Sequence, residues 1–323
     1  MCRPPPSSNF SIQCNWLNIA SLKMGESEEH VHMVSSEVNA FTFFPAPDSE
    51  EDDREKSVVS RFSYKVPRST HQKNSMADLT PKVDEDGDLE VVRPNNTGEE
   101  KNLYITHSTL TSLELVGQQV WRGALFLADY LLYLGQQIKD EIVLELGAGV
   151  GLTSIAAAMV TKKVYATDVD RGEILKMIKS NVEENKEHIN GEVIVNELDF
   201  FTKEWKESLK QILPEVTTII AADLVYHNTL TDAFVDTLKD LMTSGKDKQA
   251  FIALERRCVF TLEDMETVAP CYDYFRKSLD ALVDSTIEGW NMELIEIKEN
   301  FPQYFCYEKV RELVILKITS RKC

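Results

Sequence analysis

The chain has 323 residues and is strongly acidic, with 35 Lys and Arg against 53 Asp and Glu and a formal net charge of −18. This length suits one sizeable domain with an appendage, and the acidity argues against the basic face that direct nucleic-acid binding requires. The six cysteines form no Cys-x-x-Cys pair, so no metal site is expected. No secretory signal opens the chain, so export is not expected. The most apolar run, 120–134, is too short to cross a membrane.

Residues 1–98 are predicted to form a disordered acidic N-terminal arm. Two acidic runs, 48–55 and 84–90, are separated by polar sequence that contains proline, and no sustained hydrophobic periodicity is present. Such a segment cannot bury enough apolar surface to offset the entropy lost on ordering. The short apolar patch at 41–44 is either a docking element or a local cluster. Residues 99–323 are predicted to form the folded domain.

Order is predicted to begin near residue 100, after which strands and helices alternate. Two short strands, 103–106 and 113–116, which a hairpin would pair, precede an apolar helix over 120–134. The strands predicted after that helix cover 142–146, 164–167, 193–198, 217–222, 250–254, 292–297 and 313–319, and the helices cover 152–160, 172–186, 229–243 and 261–283. This alternation predicts an α/β fold, a doubly wound, Rossmann-like sheet with helices on both faces. The last two strands are joined by a loop alone, so one of them is expected to run antiparallel.

Acidic residues mark the carboxyl ends of several predicted strands. Glu145, Asp168, Asp199 and Asp223 each lie at the end of an apolar run or directly after it. In open sheets of this type, ligands bind beyond the carboxyl ends of the strands. We therefore expect these four side chains on one rim, beside the ligand.

A glycine-rich turn lies between the predicted strand 142–146 and the predicted helix 152–160. Its sequence, residues 145–151, is Glu-Leu-Gly-Ala-Gly-Val-Gly. Glycines in such a turn adopt backbone angles that other residues avoid, and they let a ligand approach the main chain closely. The pattern therefore predicts a ligand site formed by Gly147, Ala148 and Gly149.

The acids beside this turn indicate which ligand it binds. A carboxylate at Glu145 suits a cationic amine and not a phosphate, and Asp168 at the end of the next strand can accept both hydroxyls of a ribose. A ligand with a ribose, no phosphate and a charged amino acid head is S-adenosylmethionine. A dinucleotide site is the competing interpretation, but its Gly-x-Gly-x-x-Gly pattern needs a third glycine where this chain has Leu152.

Three motifs in this chain resemble the class I, seven-stranded methyltransferases, and more narrowly the family 16 methyltransferases known for protein-lysine methylation. They are residues 120–124 (Val-Trp-Arg-Gly-Ala), residues 145–152 with the glycine turn, and residues 223–226 (Asp-Leu-Val-Tyr). The resemblance covers about residues 100–323. It implies a strand order of 3-2-1-4-5-7-6 with strand seven antiparallel, S-adenosylmethionine as donor, and a protein lysine as acceptor.

The resemblance also implies roles for individual residues on the donor side. Trp121 matches a tryptophan that packs on the donor, Asp168 matches the ribose acid, and Ala222 matches the small residue before the Asp-x-x-Tyr element. Where the family often has a tryptophan beside the adenine, this chain has Phe200, which keeps a stacking face but loses the indole N–H. The cofactor-binding residues predicted are Trp121, Glu145, Gly147, Ala148, Gly149, Asp168, Asp199, Phe200 and Ala222.

On the acceptor side, Asp223 and Tyr226 are the predicted catalytic residues. Asp223 is expected to hold and orient the incoming ammonium, and Tyr226 to supply an aromatic wall with a polar tip. The competing interpretations are an N-cap for the following helix at Asp223 and a core position at Tyr226. Residues 255–257 (Glu-Arg-Arg) end a strand on the same rim and either shape the acceptor channel or form a surface salt-bridge cluster.

The charge of the chain also bears on its partners. An acidic protein attracts basic ones, so the expected partner is a basic protein that carries the target lysine. The enzyme is expected to be a monomer and to bind neither nucleic acid nor a membrane. The resemblance further implies a nuclear, nucleic-acid-associated substrate, and location in the nucleus and also in the cytoplasm. Two alternatives remain open at this point: a donor-binding scaffold without catalysis, and methylation of histidine or of a small molecule.

Overall fold

The computed structural model describes residues 20–21, 32–38, 57–65, 99–202, 205–261, 266–285, 287–298 and 300–323. Its strands are β1 (Ala20–Ser21), β2 (His32–Val34), β3 (Ser57–Lys65), β4 (Glu100–Ser108), β5 (Thr111–Ser112), β6 (Ile142–Leu146), β7 (Lys163–Asp168), β8 (Glu192–Glu197), β9 (Thr218–Ala222), β10 (Lys248–Glu255), β11 (Val259–Thr261), β12 (Glu266–Val268), β13 (Trp290–Glu296) and β14 (Leu313–Lys322). Its α-helices are α1 (Arg122–Leu134), α2 (Leu152–Ala158), α3 (Ile174–Glu184), α4 (Glu207–Ile212), α5 (Asn228–Met242) and α6 (Pro270–Asp284). Short 3₁₀ helices cover Leu113–Gln118, Gly135–Gln137 and Lys186–His188.

A seven-stranded sheet forms the centre of the molecule, in the order β13-β14-β10-β9-β6-β7-β8. The strands β10, β9, β6, β7 and β8 are paired in parallel, whereas β14 runs antiparallel to both of its neighbours. Numbered along the chain from β6, this order is 3-2-1-4-5-7-6 with strand seven antiparallel. The fold class predicted from the sequence, an α/β doubly wound sheet, is therefore confirmed.

Side chains that alternate along the sheet bury both of its faces. Leu144 points into a cluster that includes Phe234 of α5 and Phe275 of α6, whereas its neighbour Val143 points into a cluster with residues of α1 and α2. Runs of apolar residues such as 142–146 are typical of strands covered on both faces. The carboxyl ends of the parallel strands are thereby held in one rigid rim.

The N-terminal arm is where the structure differs most from the sequence-based expectation. Strand β3 pairs antiparallel with β4 along its whole length, from Ser57 opposite Ser108 to Lys65 opposite Glu100. Phe62 and Tyr64 are almost fully buried in the cluster that α1 and α2 share with β4. The prediction of disorder is therefore wrong for 57–65, and also for 32–38, where β2 pairs with β5. The acidic runs at 48–55 and 84–90 and the patch at 41–44 lie outside the described residues.

Residues 57–65 are ordered because their side chains alternate, with every second one pointing inward. This pattern is that of a half-buried strand, but the strand that completes it begins only at Glu100, so local sequence gives no sign of the pairing. The boundary drawn at residue 99 accordingly separates two strands that belong together.

Two smaller expectations also require correction. Residues 113–116, predicted as a strand paired with 103–106, belong to the 3₁₀ helix Leu113–Gln118. The helix predicted over 261–283 begins only at Pro270, and the antiparallel pair β11–β12 precedes it. Proline is favoured in the first turn of a helix, where its missing N–H has no partner to lose. Helix α4 was not predicted. None of the helices in the described part of the chain has the length and apolar character needed to cross a membrane.

Candidate functional site

A cavity of about 460 Å³ opens at the carboxyl ends of β6, β7, β9 and β10. Every site residue predicted from the sequence lines this cavity: Trp121, Glu145, Gly147, Ala148, Gly149, Asp168, Asp199, Phe200, Ala222, Asp223 and Tyr226. The rule that ligands sit beyond the carboxyl ends of parallel strands explains why residues from separate parts of the chain meet here. The structure thus brings the predicted set together, and the role of each member stays a prediction.

The glycine turn between β6 and α2 forms the floor of the cavity. Gly147, Gly149 and Gly151 have φ angles of 65°, 54° and 85°, the left-handed region that favours glycine. A Cβ on Gly147 would lie 2.3 Å from Leu224 Cδ2, and one on Gly149 would lie 2.8 Å from the carbonyl oxygen of Gly117. Both close approaches exclude a larger residue at these positions, because the protein itself fills the space beside each glycine.

Asp168 lies at the end of β7 with its carboxylate over this turn. Its Oδ2 accepts a hydrogen bond from the Gly149 N–H and its Oδ1 accepts one from the Val169 N–H, both at 2.8 Å. Burial raises the pKa of Asp168 to about 6, although these two hydrogen bonds oppose the rise. Each oxygen keeps a second lone pair, so the carboxylate can still accept the hydroxyls of a ribose.

Glu145 is the most buried acid of the site, with 1% of its surface exposed. The hydroxyl of Ser154, in α2, donates a hydrogen bond to its Oε2. Burial raises the pKa of Glu145 to about 8, and the nearby charge of Asp168 adds to the rise. A cationic group bound in the cavity would favour the charged form of this carboxyl.

Asp223 joins two elements that meet at the cavity. Its Oδ2 accepts a hydrogen bond of 2.6 Å from the N–H of Gly123 in the first turn of α1, and its Oδ1 accepts one of 3.0 Å from the Glu255 N–H. The residue that precedes α5 is His227, so Asp223 does not cap the following helix, and that alternative is wrong. Burial raises the pKa of Asp223, and the charge of Arg257 opposes the rise.

The aromatic residues of the site differ in how they face the cavity. Trp121 is half-buried, and its indole N–H donates to the Val116 carbonyl oxygen at 3.1 Å. Phe200 packs on Phe234 with ring centroids 5.6 Å apart and is only 9% exposed. The next residue, Phe201, is 63% exposed and also lines the cavity. Of the two phenylalanines, Phe201 therefore offers the larger open face.

Phe201 was missed by the sequence analysis, although its position directly after Phe200 was a usable signal. Asp199 holds it in place, because Asp199 Oδ1 accepts a hydrogen bond from the Phe201 N–H at 2.9 Å. Tyr226 is half-buried, and burial together with the charge of Asp168 raises its pKa to about 12. Tyr226 consequently stays neutral near pH 7.

The residues that line the cavity suit one kind of cofactor. Gly147 and Gly149 line the cavity, Asp168 can accept from a ribose, and Glu145 offers a carboxylate to positive charge. These features fit S-adenosylmethionine, whose amino acid head and sulfonium are cationic, and they do not fit a pyrophosphate. The fold and the site together define an S-adenosylmethionine-dependent methyltransferase of the seven-stranded class.

Comparison with known proteins identifies the family. A model of the lysine methyltransferase family matches residues 97–268. The chain is 34% identical to mouse methyltransferase-like protein 22 over 291 residues, which cover 74% of this chain and 73% of the mouse protein. The human counterpart is 33% identical over 288 residues, which cover 74% of this chain and 70% of the human protein. A mouse protein N-lysine methyltransferase is 37% identical over 128 residues, 39% of this chain and 54% of that protein.

The chain therefore belongs to the lysine methyltransferase family. It is an S-adenosylmethionine-dependent protein-lysine methyltransferase, as the resemblance to this family implied.

Proposed function

We propose that this enzyme methylates a lysine of a basic, nucleic-acid-associated protein, with Asp223 and Tyr226 on the acceptor side of the cavity. The observation that carries the proposal is the fixed carboxylate of Asp223. Both of its oxygens accept hydrogen bonds from backbone N–H groups, of Gly123 and Glu255, so its position does not depend on substrate. A carboxylate held in this way is preorganised to orient an incoming ammonium.

S-adenosylmethionine supplies a methyl group on a positively charged sulfur, and the lysine ε-nitrogen displaces that sulfur and releases a proton. The protein contributes mainly alignment and exclusion of water, because the sulfonium is already a good leaving group. The lysine must be neutral to react, although its ordinary pKa is about 10.4. Asp223 orients the arriving ammonium, and burial in the cavity together with the adjacent positive charge favours loss of its proton. The Tyr226 ring forms a wall of the cavity.

The roles proposed for the remaining residues concern the donor. Asp168 accepts the ribose hydroxyls, Glu145 faces the amino group, and the turn of Gly147, Ala148 and Gly149 contacts the donor through its main chain. The other donor contacts proposed are Trp121, Asp199, Phe200 and Ala222, with Phe201 added because of its exposed ring.

The charge of the chain supports the choice of partner. A net charge of −18 attracts a basic protein and repels nucleic acid, so nucleic acid would be bound by the substrate and not by the enzyme. Such substrates are concentrated in the nucleus, which is the proposed location, together with the cytoplasm. The enzyme is proposed to act as a monomer.

The test is to incubate the purified full chain with methyl-labelled S-adenosylmethionine and separate nuclear and cytoplasmic extracts, and to map labelled residues by mass spectrometry. The expected result is a label on a lysine of a basic nuclear protein that disappears with the Asp168→Ala variant. A label confined to histidine, to a small molecule or to acidic cytoplasmic proteins would refute the proposal.

A further inference from the structure

Two ion pairs lie beside the acceptor side of the cavity. Arg122 Nη1 is 3.1 Å from Glu255 Oε1, and Arg257 Nη1 is 3.4 Å from Glu37 Oε1. Arg257 and Glu255 line the cavity, whereas Glu37 belongs to the N-terminal segment 32–38. The second pair therefore connects a part of the chain that precedes the family-matched region to the site itself.

Segment 32–38 is fastened to the residues that lead into Trp121. The side chain of Gln119, which is almost fully buried, accepts a hydrogen bond from the Ser36 N–H at 2.6 Å and donates one to the Val34 carbonyl oxygen at 2.8 Å. The hydroxyl of Ser36 also donates to the carbonyl oxygen of Val120. These bonds fix the segment directly against the start of α1.

Arg257 contacts the proposed site residues from the other side. Its guanidinium lies 4.9 Å from the centre of the Trp121 ring, a cation–π contact. Its positive charge also acts on the Asp223 carboxylate. Arg257 therefore touches or influences three groups: Glu37 of the segment, the Trp121 ring and Asp223.

We propose that Glu37 and Arg257 are a pair of positioning residues, which makes segment 32–38 a working part of the active site. Glu37 holds the guanidinium, and the guanidinium fixes the Trp121 ring and balances the charge of Asp223. The inference rests on the proposed function of Trp121 and Asp223. It places a determinant of methyl transfer in the arm, outside the region that the family model matches.

If the Glu37–Arg257 pair had only a structural role, its removal would lower the stability of the protein and leave kcat unchanged. The Glu37–Arg257 contact is long, at 3.4 Å, and Glu37 Oε2 is buried without a hydrogen-bond partner among the described residues. The charge of Arg257 also acts on the carboxyls of Asp223 and Glu255, so removing the charge of Glu37 does not leave Arg257 without a counter-charge. Replacing Glu37 by Gln should therefore leave folding intact, so that any loss of activity reports positioning.

The experiment is a double-mutant cycle in the full-length protein with Glu37→Gln, Arg257→Gln and the double variant. Methyl transfer is measured on whichever acceptor residue the unmutated enzyme labels, alongside the dissociation constant of S-adenosylhomocysteine and the melting temperature. Glu37→Gln is expected to lower kcat about 10-fold, because small misplacements of aligning groups are costly. The melting temperature and KM for the protein substrate should change little.

The double variant is expected to lose no more activity than Arg257→Gln alone, since residues that act as a unit are not additive. The matched control is Glu192→Gln, which removes the Glu192–Lys163 ion pair at 3.0 Å, on β8 and β7 at the amino ends of the strands. That control should leave kcat unchanged. Unchanged kcat in Glu37→Gln, or additive losses in the double variant, would overturn the inference. A label on a residue other than lysine would instead refute the proposed function, while the cycle still decides the pair.

Discussion

Asp223→Asn tests whether the carboxylate of Asp223 acts on the substrate or only joins α1 to β10. Asp223 has a φ angle of 51°, and asparagine tolerates this left-handed conformation better than alanine does. Asparagine also keeps one oxygen for the N–H of Gly123 or Glu255. Its amide NH₂, however, must face the other backbone N–H, so one of the two hydrogen bonds is lost.

The size of the expected effect follows from these contacts. Losing a hydrogen bond to a charged group costs about 2 kcal/mol, which in a domain of this size lowers the melting temperature by about 4–8 °C. If the carboxylate also orients the acceptor ammonium, kcat should fall about 100-fold or more, as for other groups that act mainly in the transition state. Donor affinity should change little, because Asp223 is proposed to face the acceptor.

The assay measures methyl transfer, donor binding by calorimetry and thermal melting on the same samples. Ser320→Ala is the control for stability alone, since it removes a buried hydrogen bond of 2.6 Å to the Met242 carbonyl oxygen far from the cavity. That variant should melt at a lower temperature and keep its kcat. If Asp223→Asn behaves in the same way, with kcat preserved at temperatures below melting, the acceptor role of Asp223 is refuted.

Asp168→Ala should weaken donor binding by about 2–4 kcal/mol in a folded protein, and unchanged affinity by calorimetry would contradict the ribose assignment. Phe62→Ala should lower the free energy of unfolding by about 3 kcal/mol in urea titration, because its ring is almost fully buried, whereas a dispensable arm would show no change. Phe201→Ala should weaken donor binding about 10-fold without a loss of stability, and equal affinity would remove Phe201 from the site. Because burial raises the pKa of Glu145 from 4.5 to about 8, the folded protein holds this proton more tightly than the unfolded chain, so its contribution to stability falls as the pH rises between those values. The melting temperature of Glu145→Gln should therefore rise relative to that of the unmutated protein as the pH rises. A difference in melting temperature that does not change with pH would contradict the titration of Glu145 in this range.

Much of the donor side was predictable because its signals are local. The turn at 145–151 combines glycines with left-handed φ angles and an acid at a strand end, and each of these features can be read from adjacent residues. The acceptor side was predictable only in part. Asp223 could be singled out from its motif. Its hydrogen bond to Gly123, however, joins residues far apart in the chain, and no local pattern predicts that bond.

The sequence by itself determined the class of fold and the rim on which the ligand binds. Alternating apolar runs and helical segments specify a doubly wound sheet, and the acids at the strand ends then share one edge, because parallel strands all end on the same side. Only the tertiary structure decided which distant segments complete the domain. Strand β3 pairs with β4, from which residues 66–99 separate it in sequence, and Glu37 pairs with Arg257, which lies far along the chain. Both contacts depend on the packed core that brings their elements together.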